Sequence, residues 1–189
     1  MQTRPIKGKT PGHLSTSGFA LGQEHCTTAR INDYNLASSE KLAVGGKNCG
    51  VEMLRSELDR IIANGENSGV EFKRDDCRAE QLAREIVAMV NLNGGMVLLG
   101  VEDDGTISGI ERKNSEEWVM DTVVARKIHP LILPFYEEIQ IDDQKRVAVI
   151  SFTQGVAKPY VLRHNNREDI YIRIGSTSRL ATREQQARL

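Results

Sequence analysis

The stretch from Glu66 to Gly105 constrains this chain more than any other part of it. It opens with Glu-Asn-Ser-Gly-Val-Glu-Phe-Lys at 66–73 and ends in the apolar run Met96–Val101, followed by Glu-Asp-Asp-Gly. A continuous apolar run of that length suits a buried strand. Leu82, Ile86, Met89 and Val90 fall on one helical stripe, which predicts a helix over Ala79–Leu92. Asn93-Gly94-Gly95 breaks that helix. Val70 and Phe72 alternate with Glu71 and Lys73, the pattern of a short strand. Strand, helix and strand in this order carry acidic side chains from separate positions toward one place.

The flanking sequence completes the outline. Val51, Leu54, Leu58, Ile61 and Ile62 predict a first helix that stops at Asn64-Gly65. Asp104-Gly105 is a hairpin signal, with a return through Ile107–Ile110. Asn114 and Glu117 have capping-box spacing and open a third helix that ends before Pro130. Residues 135–141 and 147–152 read as strands around the turn 142–145. Residues 160–163 and 170–174 read as a hairpin around 164–168, and Thr182 as the cap of a last helix. Hairpins outnumber crossovers, so the expected class is α+β, with helices packed on a largely antiparallel or mixed sheet.

A chain of 189 residues can bury one sizeable core. No apolar run reaches the ~18 residues of a membrane span, and the N-terminus lacks the order of a secretory signal. A cytoplasmic location and no membrane partner are expected. Cys26, Cys49 and Cys77 lack the spacing of a disulfide framework or zinc finger and read as idle or buried thiols. Residues 1–50 are rich in Gly, Ser, Thr and Asn without a sustained period. They read as a disordered leader, or as a start site set too far upstream, ahead of a domain over 51–189 whose last helix the chain end truncates. Residues 1–50 carry six Lys/Arg against three Asp/Glu, while 51–189 carry 19 against 23. Within the latter, 158–189 hold seven Lys/Arg against three Asp/Glu. A basic face opposite an acidic pocket is consistent with that division.

Glu66, Glu71 and Asp103 are the candidate acidic site. If their strands are neighbours, the three carboxylates converge, and such a group is stable only around a cation. Mg²⁺ or Mn²⁺ suits all-oxygen ligands and can activate water beside a phosphate. The alternative is three solvated acids, with Asp-Gly in a turn. Lys73 shares a strand face with Glu71: it either pairs with it or, with Arg74, holds phosphate. Asn93-Gly94-Gly95 is no phosphate loop, since it leads from helix to strand and lacks the Gly-Lys-Ser/Thr that follows in one. His129 and His164 read as loop histidines. Tyr171 and Arg173 alternate with Ile170, Ile172 and Ile174, which places them on the side away from the core. With Ser176 and Arg179 around the Gly175–Ser178 loop, they form the candidate nucleic-acid surface.

These pieces together resemble the Schlafen AlbA-like domain family. The resemblance rests on 66–73, on Ala88–Gly105 with Ile-Ser-Gly-Ile after it, on Lys158-Pro159-Tyr160, and on Tyr171–Ala181. It implies an α+β fold and a nucleic-acid-binding module of the kind found in bacterial transcriptional regulators, with DNA or RNA as partner. In animal Schlafens a related region cleaves transfer and ribosomal RNA with three acidic residues. The matching positions are Glu66, Glu71 and Asp103, so the resemblance also implies a metal-dependent endoribonuclease, with Lys73 beside the scissile phosphate. Animal Schlafens carry two lobes and a zinc motif. This chain has one lobe and no Cys/His cluster, so a full groove would require a homodimer. A homo-oligomerisation module without nucleic-acid binding is the remaining reading.

Overall fold

The computed structural model describes residues 53–189, so the expectations for residues 1–50, for Val51 and for Cys26 and Cys49 lie outside the described residues. The helix α1 spans Arg55–Asn64 and ends at Gly65, whose φ of 74° and N–H to Ile62 O close the last turn. Next come β1 (Val70–Lys73), α2 (Ala79–Val90) and β2 (Gly94–Leu99). A short α-helical turn, α3 (Ser115–Glu117), then runs straight into a π-helix, Trp118–Ala125. Asn114 does not cap it; its amide meets the Glu117 carboxylate instead, at 3.2 Å. The chain continues through β3 (Ile128–His129), β4 (Phe135–Gln140), β5 (Arg146–Thr153), β6 (Val161–His164), β7 (Arg167–Asp169), β8 (Tyr171–Ile174), β9 (Thr177–Leu180) and α4 (Arg183–Gln186). Thr182 and Gln185 cap α4 reciprocally, as expected.

The central sheet runs β1-β2-β5-β4. Because α2 crosses between them, β1 and β2 are parallel, while β2–β5 and β5–β4 are antiparallel. The α+β class with a mixed sheet therefore holds. The apolar run of β2 is continuous because both sheet faces are covered. Val97 and Leu99 pack with Leu82, Ile86 and Val90 of α2 and with Val119 and Val123 of the π-helix. Leu98 turns the other way, to Leu58 of α1 and Phe72 of β1. Each such buried side chain contributes on the order of 1.5–3 kcal/mol. At the start of β2 the backbone of neighbouring strands comes too close for any side chain. A Cβ on Gly94 would lie 2.5 Å from Phe152 O, and one on Gly95 would lie 2.6 Å from Gly69 O. That is the physical demand behind the Gly-Gly pair.

Two small hairpins cover the α2 side. The expected single hairpin over 160–174 is divided: β6 pairs with β7, and β8 pairs with β9 instead. Asn165 and Asn166 adopt φ of 49° and 59° and turn the chain within two residues, inside the expected 164–168 turn. The Asp104-Gly105 turn forms, with one bridge between Val101 and Ile107 and no longer strand beyond it. No helix among the described residues is long and apolar enough to cross a membrane.

One buried side chain fastens these hairpins to α2. Asn91 donates to Tyr160 O at 2.8 Å and to Tyr171 O at 2.9 Å, and accepts from Tyr160 N at 2.7 Å. Asn91→Ala would leave three buried backbone groups unpaired. We expect it to lower stability by about 2–4 kcal/mol in urea unfolding. A loss within experimental error would show that water replaces the amide there.

Candidate functional site

On β1, Val70 and Phe72 pack toward α1, so Glu71 and Lys73 project to the opposite face, beneath α2. That face is not a solvent cleft. Glu71 is buried, and so is Glu85 on α2. Between them lies Arg173 of β8, whose side chain is 0% exposed. Its Nη2 is 2.6 Å from Glu71 Oε2 and its Nη1 is 3.0 Å from Glu85 Oε2. The first contact is an ion pair without hydrogen-bond alignment; the second is a directed hydrogen bond. Nη2 also donates to Asn67 O at 2.9 Å and Val70 O at 3.3 Å.

The neighbours complete a charge-compensated interior. Lys73 Nζ reaches Glu71 Oε1 and donates to Phe72 O at 2.9 Å. Arg84 holds Glu85 Oε1 at 2.8 Å, and Ser178 Oγ donates to Glu85 Oε2. Ser178 arrives there because β8–β9 pairing sets it directly opposite Arg173. One hairpin thus delivers both partners of Glu85. Two carboxylates face three cations, which makes burial tolerable. Burial still dominates at Glu71 and, helped by the nearby Glu85, raises its carboxyl above the usual range against the pull of Lys73 and Arg173.

The expected face of β8 is therefore inverted. Arg173 points inward, Tyr171 packs against the core, and Ile174 is exposed. The physical cause is that Glu71 and Glu85 require a buried cation. Glu85 was not singled out in the sequence, yet a signal was there: it lies three residues after Leu82 and four before Met89, inside the apolar stripe of α2.

The acidic trio is not brought together. Glu66 Oε1 accepts the amide of Phe72 at 2.9 Å, fixing the loop before β1. Glu71 is committed to Lys73 and Arg173. Asp103 is exposed in the turn after β2, beside Asp104, which caps Thr106 N at 2.8 Å. Among the described residues no three His, Cys, Asp or Glu side chains are placed to hold a metal. The donor set expected for Mn²⁺ or Mg²⁺ does not fit such an ion in this arrangement. Of the residues expected to touch nucleic acid, Arg74, Ser176 and Arg179 are exposed. Arg74 pairs with Asp76 at 3.0 Å, while Lys73, Tyr171 and Arg173 are taken up by the interior. Cys77 is half-buried, and burial pushes its thiol up to about 11, in keeping with an idle thiol.

The family model described as Schlafen, AlbA_2 matches residues 66–182, from the first motif glutamate to the cap of α4. The chain belongs to the Schlafen AlbA_2 family. Two solved structures are similar to it. One is the DIP2311 protein of Corynebacterium diphtheriae, with 23% identity and a TM-score of 0.48 over 60% of this chain and 22% of that one. The other is the N-terminal domain of a RecG-related protein of Nitrosomonas europaea, with 22% identity and a TM-score of 0.47 over 64% of this chain and 87% of that one. The chain thus spans less than a quarter of the Corynebacterium protein. No curated protein matches it.

For this Schlafen AlbA_2 domain the clamp makes two measurable statements. Arg173→Met would leave two buried carboxylates without their shared cation. Urea unfolding at pH 7 should show a loss of about 3–5 kcal/mol, shrinking as acid protonates the carboxyls. A variant as stable as the parent would sink the clamp. The second concerns Glu71, whose folded-state carboxyl is raised above 4.5. The stabilisation from its tighter proton is fully present below pH 4.5 and fades as pH rises through the folded value. The stability difference, parent minus Glu71→Gln, should therefore fall with rising pH in that window; a rising difference would reverse the assignment.

Proposed function

We propose that the domain binds nucleic acid, duplex DNA first, by phosphate contacts from the β8–β9 hairpin, the β6–β7 hairpin and α4. The observation that carries this reading is the pattern of charge left over once ion pairs are counted. In the basic segment 158–189, Arg173 is neutralised in the clamp, Arg163 pairs with Glu168 at 2.7 Å and Arg188 pairs with Glu184 at 2.5 Å. Arg167, Arg179 and Arg183 are exposed and take no ion-pair partner among the described residues. Gly175 and Ser176 form the tip between β8 and β9, in the open, with Gly175 at φ 60°. Exposed guanidinium groups and free backbone N–H groups at a tight turn are the usual partners of phosphate oxygens.

Membership in the Schlafen AlbA_2 family supports the nucleic-acid reading over pure self-association. The placement of the acidic residues favours binding without cleavage, because Glu66 and Glu71 have taken structural partners. A role in transcriptional regulation follows if the bound sites are promoters, and RNA is the alternative ligand of the same surface.

Retention of duplex DNA, single-stranded DNA and transfer RNA can be measured across a salt series. We expect duplex binding whose log–log salt slope falls by about 0.9 for each phosphate contact removed in Arg179→Ala and Arg183→Ala. Affinity should drop several-fold for each, with Mn²⁺ or chelator changing nothing. Slopes unchanged by both substitutions would rule out this surface. Metal-dependent RNA cleavage abolished by Glu71→Gln would instead place chemistry at the clamp.

A further inference from the structure

The far edge of the central sheet carries an unclaimed surface. β4 pairs only with β5, so its outer edge is open among the described residues. Strand neighbours alternate faces, yet three consecutive residues of β4, Tyr136, Glu137 and Glu138, line one cleft of about 540 Å³ with residues 113–117. Glu116, Glu117, Glu137 and Glu138 line it with Lys113. Glu138 is paired with Arg146 at 3.2 Å and Glu137 accepts from Met53 N at 3.1 Å, which leaves Glu116 and Glu117 as the carboxylates without a cation or backbone donor among the described residues. Ser115 also lines it, is 1% exposed, and its Oγ has no hydrogen-bond partner among the described residues. An orphaned buried hydroxyl is a polar group waiting for a donor or acceptor.

Leading into that edge is an apolar stripe. Leu131, Leu133 and Phe135 are 60%, 90% and 51% exposed, while Ile132 packs on the core and Pro134 is buried. Alternation in an extended segment puts the three on one side, in the segment that leads into β4. Exposed apolar groups in a row mark a contact surface more than scattered ones do.

We infer that this edge receives an extended, lysine- or arginine-bearing polypeptide segment, which adds to β4 as a further strand. Backbone pairing along the edge supplies adhesion. The carboxylates of Glu116 and Glu117 meet its cations, and Leu131, Leu133 and Phe135 meet its apolar side chains. A second copy of the chain is disfavoured as occupant. Antiparallel pairing of β4 with itself would set Glu137 near its own copy, and like charges opposed across strands repel.

The test uses the full-length protein and capped, fluorescein-labelled heptapeptides followed by anisotropy. The probe is Thr-Lys-Leu-Lys-Leu-Lys-Thr. One control replaces the Leu at its third position by Pro, keeping the charge; another replaces every Lys by Glu. We expect the probe to bind, and both controls to bind at least about tenfold more weakly. Glu116→Lys with Glu117→Lys, and separately Leu133→Asp, should each weaken the probe by about tenfold. Leu133 is exposed, so its variant should match the parent in thermal stability. The Glu116→Lys, Glu117→Lys variant loses the Asn114–Glu117 contact and should melt slightly lower, while DNA retention matches the parent in both. Equal binding of the proline control would reduce the effect to charge attraction and overturn strand addition. Absence of probe binding, or binding unchanged in the variants, would overturn the surface. A change in sedimentation of Leu133→Asp without probe binding would assign the edge to a second copy and likewise overturn the proposal.

Discussion

Arg173 is the interaction on which the rest of this domain depends. It touches β1, the loop before it and α2 at once, through Glu71, Asn67 O, Val70 O and Glu85. The alternative docking of the β8–β9 hairpin, with its isoleucines inward, would bury more apolar surface. Full burial of an exposed isoleucine is worth roughly 1.5–3 kcal/mol, and Ile172 and Ile174 are already more than half covered, so the gain is at most about half of that for each. It would also leave two buried carboxylates without a shared cation, at about 3–5 kcal/mol for a broken buried pair. The electrostatic term matches or exceeds the apolar one, and the hairpin docks with Arg173 inward. A buried ion pair of this kind adds little net stability against a well-packed apolar interior. Its effect here is to select one of two faces of a short strand pair.

That selection explains which parts of the structure the sequence revealed. The helices α1 and α2 and the strands β1, β2, β4 and β5 were legible because each buries an apolar period against the same core. The family resemblance was legible for the same reason, since its motifs sit at the turns and buried ends of those elements. The face of β8 was not legible. Its pattern, Ile-Tyr-Ile-Arg-Ile, reads as isoleucines inward unless the reader knows that Glu71 and Glu85 wait beneath. Glu71 is 102 residues from Arg173 along the chain, and periodicity carries no information over that distance. The turn at Asn165 and Asn166 falls inside the expected 164–168, but the break at Ile170 and the pairing of β8 forward with β9 across Gly175-Ser176 leave no mark in the pattern. The acidic trio is spread for a local reason: Glu66 accepts from the amide of Phe72, Glu71 turns inward to Arg173, and Asp103 lies in an exposed turn.

The clamp also sorts the charges of the domain by destination. Arginine is used inside where it can fork between two carboxylates and backbone carbonyls, a task lysine's single point charge performs less well. Arg179 lies on the neighbouring strand, out of register with the clamp and opposite Ile172, and remains on the surface. Two arginines six residues apart in one hairpin thus have opposite fates, decided by strand alternation alone. A basic count for the segment overstates its capacity for phosphate, and the useful quantity is the charge left after pairing.

The two edges of the central sheet are handled by different physics. An open edge presents unpaired N–H and C=O groups and invites uncontrolled pairing. At β1 the edge is covered: Arg173 donates to Val70 O and the β8–β9 hairpin packs over the face. At β4 no strand among the described residues pairs along the edge; Glu138 is neutralised by Arg146 at 3.2 Å, and the charge left to guard the edge is that of Glu137 and of Glu116 and Glu117 beside it. Charge of one sign repels a copy of itself but attracts a strand of the opposite sign. The device that keeps β4 from pairing with another β4 is therefore the same one that specifies a basic partner. An edge guarded by charge is selective, whereas an edge guarded by a covering hairpin is closed.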